Sequence, residues 1–155
     1  MSECLFCRIL AGDTAASVVH EDDQALVMLD LYPVRPGHVL IIPKQHVARV
    51  EELSAAQLGH LVNLAQRLIR AERAVADSTG GSAPKGHNLL INDGAAAGQH
   101  VPHLHLHVIP REGPGDRPAL ALAWLTRLFG QVRRSARRER LDRMAGLLRE
   151  HFPSA

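Results

Sequence analysis

Histidines at positions 103, 105 and 107 alternate with Leu104, Leu106 and Val108. Imidazole is nucleophilic when neutral and a proton donor when charged, both near physiological pH, so closely spaced histidines suit chemistry at phosphorus. On a strand, side chains two apart lie on one face at roughly 6–7 Å, so His103, His105 and His107 would surround a phosphate from one side while the leucines face a core. Burying three unpartnered imidazoles would be costly, which argues against a purely structural role. A second group sits at the start of the chain, where Cys4 and Cys7 stand three apart. That spacing fits half a metal site, a redox pair, or chance. The redox reading is disfavoured because the pair does not follow a strand. A closed tetrahedral zinc site would need two more ligands.

The elements that must position these groups can be read from periodicity. Residues 3–10 carry apolar side chains at helical spacing, stopped by Ala11-Gly12-Asp13. Val18 to His20, Ala25 to Asp30 and His38 to Pro43 are short, aliphatic and separated by acidic or Pro/Gly punctuation, as antiparallel strands would be. Ser54 reads as an N-cap, and Leu58, Leu61, Val62, Ala65, Leu68, Ile69 and Ala76 trace the apolar stripe of a long helix. A small, polar, glycine-rich stretch from Asp77 to Gly86 releases the chain into a strand from His87 to Asn92. A turn over Asp93 to Gln99 follows, then the histidine strand over 103–109. Residues 119–130 and 133–152 look helical. Strand runs broken by one long helix predict an α+β fold. It should hold an antiparallel sheet of about five strands, one long helix, a short N-terminal helix and a C-terminal helical extension.

Composition narrows the setting. A chain of 155 residues with 46% hydrophobic residues fits one compact core. We expect residues 1–114 to form the motif-bearing domain and residues 115–155 an arginine-rich extension packed on it. No apolar run is long enough for a membrane span, and MSECLFCRIL lacks the features of a secretory signal. With the unpaired cysteine spacing, this points to a soluble protein of a reducing cytoplasm and away from a membrane partner. A sheet with few strands has edges to cover, so a homodimer is expected. The formal net charge is only +2, which makes nucleic acid an improbable partner.

The stretch Gln99-His100-Val101-Pro102-His103-Leu104-His105-Leu106-His107-Val108-Ile109 resembles the signature of the histidine-triad superfamily. The resemblance extends upstream. Asp30-Leu31-Tyr32-Pro33-Val34-Arg35-Pro36-Gly37-His38 looks like the family's ribose-binding segment, and Asn92-Asp93-Gly94 like its phosphate-side turn, so residues 4–111 are covered in order. The resemblance implies an enzyme in which His105 attacks an α-phosphate, leaving a nucleotidyl-histidine that water resolves to a nucleoside monophosphate. It implies His107 as a phosphate contact and His38 as the residue that orients His105 by a hydrogen bond. Asn92 and Gln99 complete the polar shell, with Val101 beside them in the signature. Asp30 accepts the ribose hydroxyls of a purine nucleotide, and Phe6, Ile9, Met28 and Leu31 line the base. No catalytic cofactor is required, but similar family members use a Cys-Cys-His-His set for structural zinc, here Cys4, Cys7, His46 and His103. At position 100 a histidine replaces the family's frequent serine or threonine, which leaves open whether phosphoramidates or dinucleoside polyphosphates are cleaved.

Leu141, Met144, Ala145, Leu148 and Phe152 make one apolar stripe among seven arginines between Arg133 and Arg149. A docked amphipathic helix is the expected reading. A nucleic-acid contact or an extra phosphate wall are its alternatives. Against the enzyme stands a nucleotide-binding regulatory protein with incidental hydrolysis, its output carried by partners of that helix. Trp124 reads as packing.

Overall fold

The computed structural model describes residues 4–113, 115–116 and 134–154. A short helix α1 (Leu5–Leu10) is followed by strands β1 (Val18–Glu21), β2 (Ala25–Leu29) and β3 (Val39–Pro43), the long helix α2 (Ala55–Thr79), strands β4 (Gly86–Ile91) and β5 (Leu106–Arg111), and helix α3 (Arg134–Glu150). The expected helix over 119–130, with Trp124, lies outside the described residues.

The five strands form one sheet in the order β1-β2-β3-β5-β4, and every neighbouring pair is antiparallel. This is the α+β architecture expected from the strand and helix periods. Because α2 crosses the sheet before β4 begins, β4 becomes an edge and β5 returns into the gap beside β3. Leu40 and Leu90 both lie opposite His107 as a result. The strand that carries chemistry is thus held on both sides by backbone hydrogen bonds.

Both faces of the sheet are covered, which is why β2 and β3 are buried at every position. Val27, Leu29, Val39, Ile41, Leu106 and Val108 meet Leu61, Leu64 and Leu68 of α2 in the larger core. Each such buried leucine contributes about 2 kcal/mol. Leu26, Met28, Leu40 and Ile42 face the other way and pack around Phe6 of α1. Successive β5 side chains therefore enter different environments. Val108 and Leu106 enter the core under α2, while His107 points to the face that α1 only partly covers.

The N-terminus of α2 is capped as the sequence suggests. Ser54 Oγ accepts from the Gln57 amide at 3.2 Å and Gln57 Oε1 accepts from the Ser54 amide at 2.9 Å, satisfying two groups the helix leaves open. The helix runs three residues past Ala76, to Thr79. Helix α3 joins the larger core through Leu141, Ala145 and Leu148. It is fixed to the start of β1 by polar contacts: Ser17 Oγ donates to Asp142 Oδ1 at 2.6 Å, and Arg138 and Arg149 donate to the carbonyls of Ala15 and Val18. Those two arginines serve docking. Among the described residues, no helix is long and apolar enough to cross a membrane.

The histidine strand is also bounded differently from the sequence expectation, ending at Arg111 beyond Pro110. The strand predicted over 103–109 begins only at Leu106. Pro43, at the end of β3, has no N–H to offer a partner strand, and its carbonyl accepts from the His103 ring at 2.8 Å instead of from a β5 amide. His103 and Leu104 turn inward there, with the Leu104 amide donating to Val47 O at 2.7 Å. The three histidines thus lie at the junction of a loop and a strand, not along one strand.

Candidate active site and metal centre

That junction divides the triplet. His105 and His107 remain neighbours, with ring centroids 4.7 Å apart, whereas the His103 ring is directed at the two cysteines. All three are buried, as is His38.

His105 Nδ1 lies 2.8 Å from the carbonyl oxygen of His103. A carbonyl can only accept, so Nδ1 carries the proton and, in the neutral ring, Nε2 holds the lone pair. The hydrogen bond fixes both the tautomer and the ring plane, and the edge of Phe6, 5.0 Å away between centroids, supports the same orientation. Nε2 of His105 is thereby left with an oriented lone pair.

A second chain of hydrogen bonds sets the opposite tautomer on the neighbouring rings. The Val34 amide donates to His38 Nδ1 at 3.2 Å. In the neutral ring the His38 proton therefore sits on Nε2, 3.0 Å from His107 Nδ1. His107 must then carry its own proton on Nε2 and is a donor there. Asp30 Oδ2 stands 3.3 Å from His38 Nδ1, so a carboxylate lies behind the pair. Asp30 is itself anchored, its Oδ1 accepting from the Tyr32 amide at 2.9 Å. The sequence reading has His38 orient His105 by a hydrogen bond; the contact of His38 Nε2 is instead with His107 Nδ1. His38 precedes β3 by one residue and Leu40 pairs with His107, so His38 is the diagonal neighbour of His107 on that face.

The remaining expected residues fall into two groups. Phe6 and Met28 are buried in the smaller core, and Ile9 and Val101 pack half-buried against it. Leu31 packs instead against the larger core and does not join them. Asn92 is half-buried just past β4. Gln99 spends both ends of its amide on the protein, accepting from the Gly94 amide at 3.0 Å and donating to Ala48 O at 2.8 Å. It thereby clasps the loop from Asp93 to Gln99. Gly94 in that loop has φ +90° and ψ 163°, a conformation that L side chains rarely adopt, and the Arg49 guanidinium lies over its Cα. Arg49, which the sequence reading did not single out, also faces Asp93 at 3.7 Å. No spacing rule signals such a contact. The carbonyl of His103 and the amide of Val34 were equally hidden, because backbone groups carry no residue identity.

The ligand atoms of Cys4, Cys7, His46 and His103 all lie within 4.8 Å of one another. The Cys4 Sγ to His103 Nδ1 separation is 3.5 Å, Cys7 Sγ to His46 Nδ1 is 3.2 Å, and Cys7 Sγ to His103 Nδ1 is 3.6 Å. Bonds of about 2.3 Å to sulfur and about 2.0 Å to nitrogen at tetrahedral angles require S···N separations of about 3.5 Å, so the set fits zinc. His103 Nε2–H donates to Pro43 O, which leaves Nδ1 unprotonated toward the sulfurs, the outer-shell arrangement that metal-binding histidines use. Burial pushes the His103 ring below its ordinary range, partly opposed by the Pro43 hydrogen bond. Burial and the adjacent Cys4 push the Cys7 thiol up. A thiol that resists ionisation beside a second cysteine is what a divalent cation would stabilise as thiolate.

The family model described as the HIT domain matches residues 11–113. The chain belongs to the HIT family. It is similar to the adenosine 5'-monophosphoramidase hnt1 of Schizosaccharomyces pombe, 33% identical over 121 residues that cover 78% of this chain and 82% of that one. It is also similar to the adenylylsulfatase HINT3 of Arabidopsis thaliana, 37% identical over 111 residues, 72% of this chain and 53% of the other. Among solved structures, a zinc-bound histidine triad family protein from Mycobacterium smegmatis matches with a TM-score of 0.73 at 33% identity, over 97% of this chain and 93% of that one. Relatives of this HIT protein thus include hydrolases.

The hydrogen-bond directions make a prediction for the neutral rings. Long-range proton–nitrogen correlation spectra should show His105 protonated on Nδ1, and His38 and His107 on Nε2. An Nε2–H tautomer at His105 would remove its role as a preset nucleophile.

Proposed function

We propose that this HIT protein hydrolyses purine nucleotides at the α-phosphorus through a nucleotidyl intermediate on His105. The observation that carries the reading is the 2.8 Å hydrogen bond from His105 Nδ1 to the His103 carbonyl, which leaves Nε2 as an oriented nucleophile. The Nε2 lone pair forms the N–P bond as the bond from phosphorus to the leaving group breaks, and the leaving group departs with that electron pair. His107, with its proton on Nε2, donates to a phosphate oxygen or to the leaving atom as charge develops there. Attack places positive charge on the His105 ring, whose Nδ1 proton stays on the His103 carbonyl. In the second step a water oxygen bonds to phosphorus, the N–P bond breaks with its electron pair returning to His105 Nε2, and a water proton replaces the one His107 gave to the leaving atom as the monophosphate is released.

The other residues are assigned around that centre. Ile9 and Val101, half-buried over Phe6 and Met28, offer an apolar edge to the base, and Leu31 flanks the ribose from the far side. Asp30 keeps acceptor capacity for ribose hydroxyls beyond its bond to Tyr32. Asn92 contacts phosphate, whereas Gln99 acts by holding the loop. The names of the two relatives, one a phosphoramidase and one an adenylylsulfatase, share cleavage of a leaving group from adenylate phosphorus. On that ground an adenosine phosphoramidate is the first substrate to offer, with a diadenosine polyphosphate beside it. Replacing His105 by alanine should lower kcat for the accepted substrate by about three orders of magnitude or more, measured by monophosphate release. Unchanged turnover in His105→Ala would overturn the reading.

We further propose that Cys4, Cys7, His46 and His103 hold structural zinc. The fit of their separations to a tetrahedral ion supports this, as does the zinc-bound relative. Elemental analysis of purified protein should find about one zinc per chain, and Cys7→Ala should lose it together with several degrees of Tm, because metal binding is linked to folding. A zinc-free wild-type protein with the same Tm as the variant would contradict the assignment.

A further inference from the structure

Behind the catalytic loop, on the face of the sheet that α2 covers, lies a cavity of about 200 Å³. Its walls are mostly apolar, with Val75 and Ala76 of α2, Pro36, Pro110, and Met144 and Leu148 of α3. One charged group of α2 is set into this surface. Glu72 also lines the cavity, and its side chain is only 6% exposed.

Glu72 is half satisfied. Oε2 accepts from His87 Nε2 at 2.5 Å, but Oε1 is buried with no hydrogen-bond partner among the described residues. A buried polar atom left unpaired is costly, and native proteins retain few of them. Desolvation pushes the Glu72 carboxyl above its ordinary range, and the bond to His87 pulls against that shift. The other charges at the mouth are already paired: Arg35 donates to Glu112 at 3.0 Å and faces Asp116 at 3.5 Å. Thr79 Oγ1 is likewise committed, donating to Val75 O at 2.7 Å. Gly37 has φ +85°, and a Cβ there would sit 3.2 Å from Pro110 Cγ and 3.4 Å from Glu72 Oε1. The glycine leaves no side chain over that oxygen.

We infer that this cavity is a second ligand site, separate from the catalytic histidines, that takes a small organic cation with a short aliphatic body. A primary ammonium would donate to Glu72 Oε1 while its chain lies against Val75, Ala76, Pro110 and Met144. A charge-assisted hydrogen bond to a desolvated carboxylate is about twice as strong as a neutral one, so the site favours an ammonium over an alcohol of the same shape. The inference is independent of the hydrolase reading. The cavity does, however, touch the catalytic loop, because Arg35, Pro36 and Gly37 line it and His38 is the next residue.

The test is calorimetric titration of n-pentylammonium chloride into the full chain, against 1-pentanol and against sodium chloride at equal ionic strength. Saturable binding of the ammonium is expected, at least about tenfold tighter than that of the alcohol. Glu72→Gln, which keeps an acceptor for His87 but removes the charge, should weaken it by about tenfold or more. Ala76→Leu, which fills the cavity and leaves Glu72 in place, should abolish it. Melting curves check that both variants fold, and each should retain His105-dependent turnover. Absence of binding to the wild type, equal binding of alcohol and ammonium, or undiminished binding to a folded Ala76→Leu would each overturn the proposal. The first would show that water alone occupies the space, and the second that the Glu72 charge does not select the ligand.

Discussion

His103 is the residue on which the site depends, because its ring and its carbonyl do separate work. The ring donates to Pro43 O and turns Nδ1 toward Cys4, Cys7 and His46. The carbonyl accepts from His105 Nδ1. A rotation that freed either would disturb the other, so the Cys/His cluster and the nucleophile are mechanically one unit. This is a short route from α1 to the reacting atom: the cysteines hold the ring, the ring holds the backbone, and the backbone holds His105. Rigid support of this kind is what a nucleophile needs, since small misplacements of reacting atoms are expensive in rate.

The second support comes from sheet order. Placing β5 between β3 and β4 brings His107 beside the segment that ends in His38. The two hydrogen-bond chains then protonate neighbouring imidazoles on opposite nitrogens, His105 on Nδ1 and His107 on Nε2. One ring presents a lone pair and the other an N–H, although the residue type is the same. Environment alone separates the roles.

Much of this was legible in the amino-acid order because it is local. The alternation of His103 to Val108 marks two faces, Ser54 and Gln57 mark a helix start, and the stripe from Leu141 to Phe152 marks a helix that docks. What was not legible is carried by backbone groups or by register. The late start of the histidine strand follows from the Pro43 carbonyl being taken by a ring, and the pairing of His38 with His107 follows from strand register across most of the domain. Glu72 gave no signal either: a glutamate among polar helix residues looks solvated until the fold buries it against His87. Arg49 looks equally ordinary until Gly94 is seen to make room for it.

The central claim is that phosphorus is transferred twice, first to His105 and then to water. Each in-line displacement inverts the phosphorus centre, so two of them restore it. The most direct measurement is the stereochemical course of hydrolysis of an adenosine phosphoramidate made chiral at phosphorus with sulfur, run in oxygen-18 water. Net retention is the predicted result. Net inversion would mean a single attack by water and would contradict a nucleotidyl-histidine.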